Sequence, residues 1–142
     1  MKACLSALLG LIGLIASSCC PGDEGCLDQV RVRAELAPDD PVTVELCFDD
    51  HCGSTEVGPY EEGTRGESFE LDGGTEVRVG RKADHLALQI ILWADDPVDG
   101  GVVTLRVFDL EGRVLVDGSG TTAYQRYGNP LCYQCQQAVL EL

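Results

Sequence analysis

Alternation of apolar and polar residues along short segments is the feature that most constrains the fold of this chain. In residues 30–36 (VRVRAEL) and 42–48 (VTVELCF) every second side chain is apolar, and the same period returns in 76–79 and 103–107. Successive side chains of a β-strand point to opposite faces of a sheet, so this period predicts strands with one buried face. Residues 86–93 (LALQIILW) are apolar almost throughout. Such a run is typical of a central strand that is covered on both faces, or whose outer face is partly exposed.

The spacing of turn residues predicts how these strands are arranged. Pro, Gly and Asp separate the alternating segments at 38–41, 95–101 and 109–112, and further strands are expected at 113–117, 121–127 and 136–142. Residues 53–67 (GSTEVGPYEEGTRGE) show no sustained pattern, and we expect a long surface loop there. About eight or nine short strands, with turns roughly every 8–12 residues and no amphipathic helix, predict an all-β fold, an antiparallel β-sandwich.

A turn signature stands between two apolar segments in residues 107–115 (VFDLEGRVL), where Asp109-Leu110-Glu111-Gly112 forms the turn. This segment resembles the strand–D-x-x-G–strand hairpin of immunoglobulin-like and transthyretin-like bacterial modules. The resemblance covers roughly fifteen residues and implies a sandwich of one of these two kinds, without implying an activity.

The beginning of the chain has the composition of an export signal. Lys2 precedes an uncharged apolar run at 5–15, and Ala16-Ser17-Ser18 lead directly into Cys19. A basic start, a short apolar run and small residues before a cut site are typical of a signal peptide, and the run is too short to span a bilayer. With the cysteine directly after the small residues, the segment resembles the lipobox signal of bacterial lipoproteins. The resemblance implies a signal peptide at 1–18, a diacylated Cys19 and a lipid-anchored tether at 19–26. The strand pattern predicts the β-sandwich domain at 27–142.

Two outcomes of export stay open. Lipoprotein signals most often have Leu three residues before the cysteine, where this chain has Ala16, and Ala16 and Ser18 also satisfy the small-x-small rule of ordinary signal peptidase, which would give a secreted protein. The chain has eight cysteines, of which Cys4 leaves with the signal. An odd number then remains, and lipid on Cys19 leaves an even set that can pair completely. We therefore predict a cell-envelope protein, anchored by lipid and facing the extracytoplasmic side.

The net charge of −14 limits the partners of the chain. Nucleic acid is not expected, because phosphate contacts need clustered cations. Anionic lipid headgroups would repel the chain as well, so contact with the membrane is expected through the acyl chains alone. The partner that remains is an envelope protein or ligand of unknown identity, and no cofactor is predicted.

The cysteines are expected to form local disulfides, Cys20–Cys26, Cys47–Cys52 and Cys132–Cys135. Cys47 is an odd number of residues away from the core positions Val44 and Leu46. Its side chain should therefore point to the opposite face of the strand, and its bridge should lie on the outer face of a hairpin. A four-thiolate zinc site from the C-x4-C and C-x2-C motifs is the alternative, which an oxidising compartment disfavours. A redox-active C-x-x-C usually sits at a helix N-terminus, whereas the segment 132–135 precedes a strand.

Acidic residues in turns are candidates for a calcium site, because sandwich loops can gather carboxylates. These candidates are Asp39, Asp40, Asp95, Asp96 and Asp99. No recognised calcium-loop spacing occurs, and acids are ordinary turn residues. The two histidines, His51 and His85, each have an acidic neighbour and are interpreted as surface residues.

Three large apolar residues have the opposite parity from the core positions of their strands: Ile91, Trp93 and Phe108. They predict either an exposed patch for a partner or a second covered face. Together these patterns predict a non-enzymatic envelope lipoprotein whose disulfide-clipped sandwich serves binding or structural support. The alternatives are a thiol–disulfide oxidoreductase acting through Cys132 and Cys135, a metal-dependent enzyme, and a calcium-stabilised adhesion module.

Overall fold

Alternating apolar side chains from two β-sheets meet in a core between the sheets. The computed structural model describes residues 27–93, 97–127 and 135–142. That part of the chain contains ten strands and no helix. The strands are β1 (Asp28–Glu35), β2 (Val42–Phe48), β3 (His51–Val57), β4 (Glu67–Glu70), β5 (Glu76–Arg81), β6 (His85–Leu92), β7 (Val102–Asp109), β8 (Val114–Thr121), β9 (Gln125–Tyr127) and β10 (Cys135–Glu141).

The strands of the described residues form a six-stranded sheet A, in the order β4-β5-β6-β1-β10-β9, and a four-stranded sheet B, in the order β3-β2-β7-β8. Strand β1 pairs with β10 in parallel, and every other neighbouring pair is antiparallel. The predicted all-β sandwich is therefore confirmed. Its resemblance to immunoglobulin-like or transthyretin-like modules stays a prediction.

The core consists of the residues that the alternation placed on the inner faces. Val30, Val32, Val44, Leu46 and Leu105 are each at most 2% exposed. Burial of one such side chain contributes about 1.5–3 kcal/mol relative to leaving it in water. A slip of one residue would move charged side chains inward along a whole strand, so this burial fixes the register.

Residues 53–57 belong to strand β3, and the prediction of a surface loop is wrong for this segment. Strand β3 lies at the edge of sheet B and pairs with β2 from Val42–Val57 to Phe48–His51. Its inner face carries Gly53 and Thr55 beside the buried Val57. The alternation is absent from the sequence because only the last of these positions holds a large apolar side chain.

Strand β8 also differs from the prediction, since it runs without a break over Val114–Thr121. Gly118 and Gly120 pair with the buried Leu105 and Val103 of β7, so they take the inward positions of this strand. Two glycines therefore hide the alternating pattern from the sequence. The strand expected at 121–127 is reduced to the three residues of β9.

The turn at Asp109–Gly112 forms the predicted hairpin between β7 and β8. Oδ1 of Asp109 accepts hydrogen bonds from the backbone amides of Glu111 and Arg113, each at 2.9 Å. Gly112 adopts the left-handed φ of 79° that closes such a turn without strain. The backbone amide of Arg113, with the Arg113 side chain and the Glu111 amide, holds the pKa of the Asp109 carboxyl below its usual range.

Arg81 connects the loops at the end of the sandwich where β2 begins. Its guanidinium donates hydrogen bonds to the carbonyl oxygens of Ala37 at 2.6 Å and Gly58 at 3.0 Å, and also to that of Asp40. The planar fork of an arginine presents several donors in fixed directions, which a lysine ammonium does not. We call this end of the sandwich the Arg81 end.

Glycines let the two sheets approach each other at both sides of the sandwich. A Cβ atom on Gly53 would lie 2.5 Å from the carbonyl oxygen of Glu70 in β4. On the other side, a Cβ atom on Gly118 would lie 3.0 Å from Cβ of Leu142, and one on Gly120 would lie 3.0 Å from Cδ2 of Leu140. A side chain at position 53 would force β3 and β4 apart, because a backbone oxygen stands in its way, whereas at positions 118 and 120 the leucine side chains would have to shift by a few tenths of an ångström.

We expect Gly53→Ala to lower the free energy of unfolding by about 1–3 kcal/mol, because the added methyl group would overlap a backbone carbonyl that cannot turn aside. Gly58→Ala is the matched control, since no atom lies within 4 Å of its Cβ position. Urea unfolding followed by circular dichroism measures both. Equal unfolding midpoints for the two variants would contradict the close approach of β3 and β4.

Candidate functional site

A cleft opens at the end of the sandwich opposite the Arg81 end, where β2 finishes and β7 begins. We call it the end cleft. Its volume is about 580 Å³, which falls within the usual range for small-molecule sites. Five segments line it: the β2–β3 hairpin, the β4–β5 turn at 73–75, the end of β6 at 91–93, residues 97–101, and Tyr124. Both sheets therefore contribute to its walls.

The Cys47–Cys52 disulfide closes the hairpin that forms one wall of the end cleft. The two cysteines stand directly opposite each other in the β2–β3 ladder, and their Cα atoms are 4.0 Å apart. Cys47 lies on the face of β2 opposite to Val44 and Leu46, so the predicted outer-face position of this disulfide is confirmed. The covalent link holds the two strands together immediately before the turn that reaches the cleft.

Asp49 joins this hairpin to β7. It adopts a left-handed φ of 52°, a conformation that aspartate tolerates better than most residues. Its backbone amide donates to the carbonyl oxygen of Val102 at 2.8 Å, and its Oδ1 accepts from the Val102 amide at 2.9 Å. The side chain and the backbone of one residue thus fix the position of the wall.

Asp99 plays the corresponding part in the adjoining segment 97–101. Its Oδ1 accepts a hydrogen bond of 2.7 Å from the backbone amide of Tyr124. The amide of Gly100 donates to the carbonyl oxygen of Thr122 at 2.9 Å, and the Thr122 amide donates to that of Gly101 at 2.8 Å. These bonds hold the segment 99–101 against residues 122–124. The backbone of this part of the cleft is therefore fixed by hydrogen bonds.

Aromatic and apolar side chains give the end cleft its surface. Trp93 is 62% exposed and Val98 is 77% exposed, whereas Phe48, Leu92 and Tyr124 are partly buried against the core. A tryptophan is usually largely buried, so an exposed one at the rim of a concave surface marks a place where a partner or ligand can cover it. Trp93 is also the one tryptophan of the sequence.

Two carboxylates make the end cleft acidic. Asp49 and Asp99 line it, and neither Lys nor Arg occurs among its described lining residues. Burial raises the pKa of the Tyr124 phenol, and the negative charges of Asp49 and Asp99 raise it further. Tyr124, Asp49 and Asp99 all line the cleft.

The structure separates the three residues predicted as an apolar patch. Ile91 is fully buried, so its assignment to an exposed patch is wrong and the alternative of a covered outer face is correct. Gln29, opposite Ile91 in the β1–β6 ladder, is 7% exposed and donates a hydrogen bond to the Tyr127 hydroxyl. Trp93 lies at the end cleft, on the opposite end of the sandwich from Phe108.

Phe108 belongs to a second apolar area, on the outer face of sheet B toward the Arg81 end. It is partly buried and pairs with Thr43 and Val114 in the two neighbouring ladders. Val114 is 54% exposed, and Leu110 in the adjoining turn is 72% exposed. This area is part of the face of a sheet, whereas the end cleft is concave.

The calcium candidates do not come together in the described residues. Asp39 and Asp40 lie in the loop at the Arg81 end, whereas Asp99 lies at the end cleft, beyond the full length of β2. Seven residues of strand span more than about 20 Å, which is far beyond the reach of one ion. Asp95 and Asp96 lie outside the described residues. Within those residues, no group of three His, Cys, Asp or Glu side chains is placed to hold a metal ion.

Several predicted features fall outside the described residues: the signal, Cys19 and its tether, Cys20, Cys26 and Cys132. Cys135 is described, is 7% exposed and is disulfide-bonded. Its predicted pairing with Cys132 stays a prediction. Of the two histidines, His51 lines the end cleft, and Nδ1 of His85 lies 2.6 Å from Oδ1 of Asp84, a carboxyl whose pKa this hydrogen bond lowers.

Sequence reasoning identified Trp93 but missed its neighbours. Tyr124 falls in a segment predicted as a strand, Asp99 is predicted only as a calcium candidate, and the sequence patterns do not single out Asp49. The one sequence pattern that indicates this site is the position of Trp93, which follows a buried strand, precedes a turn and falls on the face opposite to the core residues.

Comparison with family models, curated proteins and solved structures finds no match to this chain. In residues 27–93, 97–127 and 135–142 no helix has the length and apolar character to cross a membrane.

We expect replacement of both Cys47 and Cys52 by serine to loosen the wall of the end cleft without unfolding the sandwich. The loop closed by this bridge is short, so the chain-entropy relation gives it about 2 kcal/mol. Amide hydrogen exchange should accelerate in residues 48–57 and stay slow in β1 and β6, which serve as the internal control. Uniform acceleration across both sheets would show that the disulfide supports the whole fold.

Proposed function

We propose that this chain is an exported, lipid-anchored protein of the bacterial cell envelope, facing the extracytoplasmic side, and that its β-sandwich binds a ligand in the end cleft without catalysing a reaction. The N-terminal pattern that ends at Cys19 supports the anchor. The exposed Cys52 in a formed disulfide with Cys47 suits an oxidising compartment.

The observation that carries the binding role is the exposed Trp93 at the rim of a cleft whose walls are held by backbone hydrogen bonds. Tryptophan is enriched among the residues that dominate binding energy, because its large surface gains much from burial. Positioned walls reduce the ordering cost that binding would otherwise incur. The end cleft combines both properties.

The charge of the chain supports the mode of anchoring. A net charge of −14 offers no electrostatic attraction to an anionic membrane surface. Two acyl chains on Cys19 supply enough buried methylene groups for stable attachment without a basic patch.

We expect the protein to fractionate with membranes and to carry acyl mass on Cys19. Cys19→Ala should release it into the soluble fraction or stop its processing, because the thiol that receives the lipid is lost. Cys26→Ala is the control, since it removes a nearby thiol outside the lipidation position. Intact mass spectrometry of an unmodified Cys19 in secreted material would contradict the anchor.

We expect small organic fragments to bind preferentially at the end cleft. A 5-fluorotryptophan label reports on this site alone, because Trp93 is the one tryptophan of the chain. Fragments that shift its fluorine resonance should also shift the amides of Gly101 and Tyr124. Val98→Asp should weaken the uncharged fragments about tenfold by placing a charge on the apolar rim.

The matched control for this screen is Val139→Asp, because Val139 is 57% exposed on the outer face of sheet A. That variant should leave fragment binding unchanged. Fragments that collect around Leu110 and Val114, or a fluorine resonance that no fragment shifts, would overturn the proposal that the end cleft is the binding site.

A further inference from the structure

The charges of the end cleft select among classes of ligand. Asp49 and Asp99 line it, without a Lys or Arg side chain among its described lining residues. Each carboxylate accepts a backbone hydrogen bond, from the amides of Val102 and Tyr124 respectively. Neutral amide donors leave the negative charge of the carboxylates uncompensated. An anionic ligand would therefore be repelled, and a cationic ligand would be attracted.

The aromatic residues of the cleft favour one class of cation over others. Trp93, Tyr124 and Phe48 all line it, and the faces of such rings attract cations, tryptophan most strongly. A cation that carries alkyl groups also gains from burial against Val98 and the rings, as a hydrated inorganic ion does not. The cleft thus offers attraction for both the charge and the apolar part of one ligand.

The size of the site favours a small ligand over a macromolecular segment. The cleft measures about 580 Å³, and the β2–β3 hairpin and the adjoining residues 97–101 are among the segments that line it. Hydrogen bonds of Asp49 and Asp99 hold these two segments in place before any ligand arrives. A compact ligand can contact the acids and the aromatic residues at once.

We infer that the end cleft binds a small organic cation, an ammonium group that carries alkyl substituents. This inference rests on the proposed binding role of the cleft and names its ligand class. The acids provide the charge complement, and the aromatic residues with Val98 provide the apolar contact.

Choline and its uncharged carbon counterpart, 3,3-dimethylbutan-1-ol, test this inference on the purified protein. The two probes have nearly the same shape and differ in charge, and the fluorescence of Trp93 follows both through the millimolar range at constant ionic strength. We expect choline to bind at least about tenfold more tightly than the alcohol, because two nearby carboxylates and the ring faces favour the charged probe.

Asp49→Asn and Asp99→Asn isolate the role of the charges. The amide oxygen of asparagine still accepts the bonds from Val102 and Tyr124, and asparagine tolerates the left-handed φ at position 49. Each variant should weaken choline binding about fivefold and leave the alcohol unaffected. Asp117→Asn is the matched control, since Asp117 lies on β8 beside Arg106, away from the cleft.

The outcomes separate this inference from the proposed function. Equal affinity for choline and the alcohol, or choline binding that survives both asparagine substitutions, would overturn the cationic ligand and leave the cleft a binding site. Absence of binding by either probe would overturn the inference too, and the fragment screen would then decide on the cleft itself. Tighter binding of choline that both asparagine substitutions weaken is the supporting result.

Discussion

Strand β2 lies in the middle of sheet B, and its register positions its neighbours on both sides. This strand pairs with β3 on one side and β7 on the other, and its alternate side chains fill the middle of the core. The same register sets Cys47 opposite Cys52 and brings Asp49 to the beginning of β7. A shift of one residue would bury Glu45, separate the two cysteines and displace one wall of the end cleft. Core packing and site geometry are therefore specified by one ladder.

The sides and the ends of the sandwich differ in the residues that occupy them. At the sides, Gly53 on one edge and Gly118 and Gly120 on the other allow the sheets to meet closely. The two ends carry different side chains. Arg81 fills one end with hydrogen bonds to loop carbonyls, whereas the other end has acids and aromatic residues around an open space. The two ends therefore present different side chains: an arginine bonded to loop carbonyls at one, and acids with aromatic residues at the other.

Much of the fold could be predicted because burial on one face imposes a period of two on β1, β2, β5 and β7. The same argument placed the Cys47 disulfide on the outer face. It failed for β3 and β8, where Gly53, Gly118 and Gly120 occupy inward positions, since a glycine selected for close approach carries no apolar signal. It also grouped Ile91 with Trp93, because parity gives the face of a residue and not what covers that face. The site itself could not be predicted from the sequence, because Asp49, Asp99 and Tyr124 come together only through contacts between segments that are distant in sequence.

The pairing of Asp28 with Leu92 at the start of β1 has a consequence for where the protein acts. It places the beginning of the sandwich beside Trp93, so the tether proposed at 19–26 leaves the domain at the same end as the cleft. A chain extends at most about 3.5 Å per residue, so the proposed lipid on Cys19 would hold this end of the domain within about 30 Å of the bilayer. Molecules held on that surface would then meet the cleft at a higher local concentration than molecules in the surrounding medium. Weak affinity would suffice for capture at the membrane, and the same affinity would leave the protein indifferent to dilute solutes in the surrounding medium.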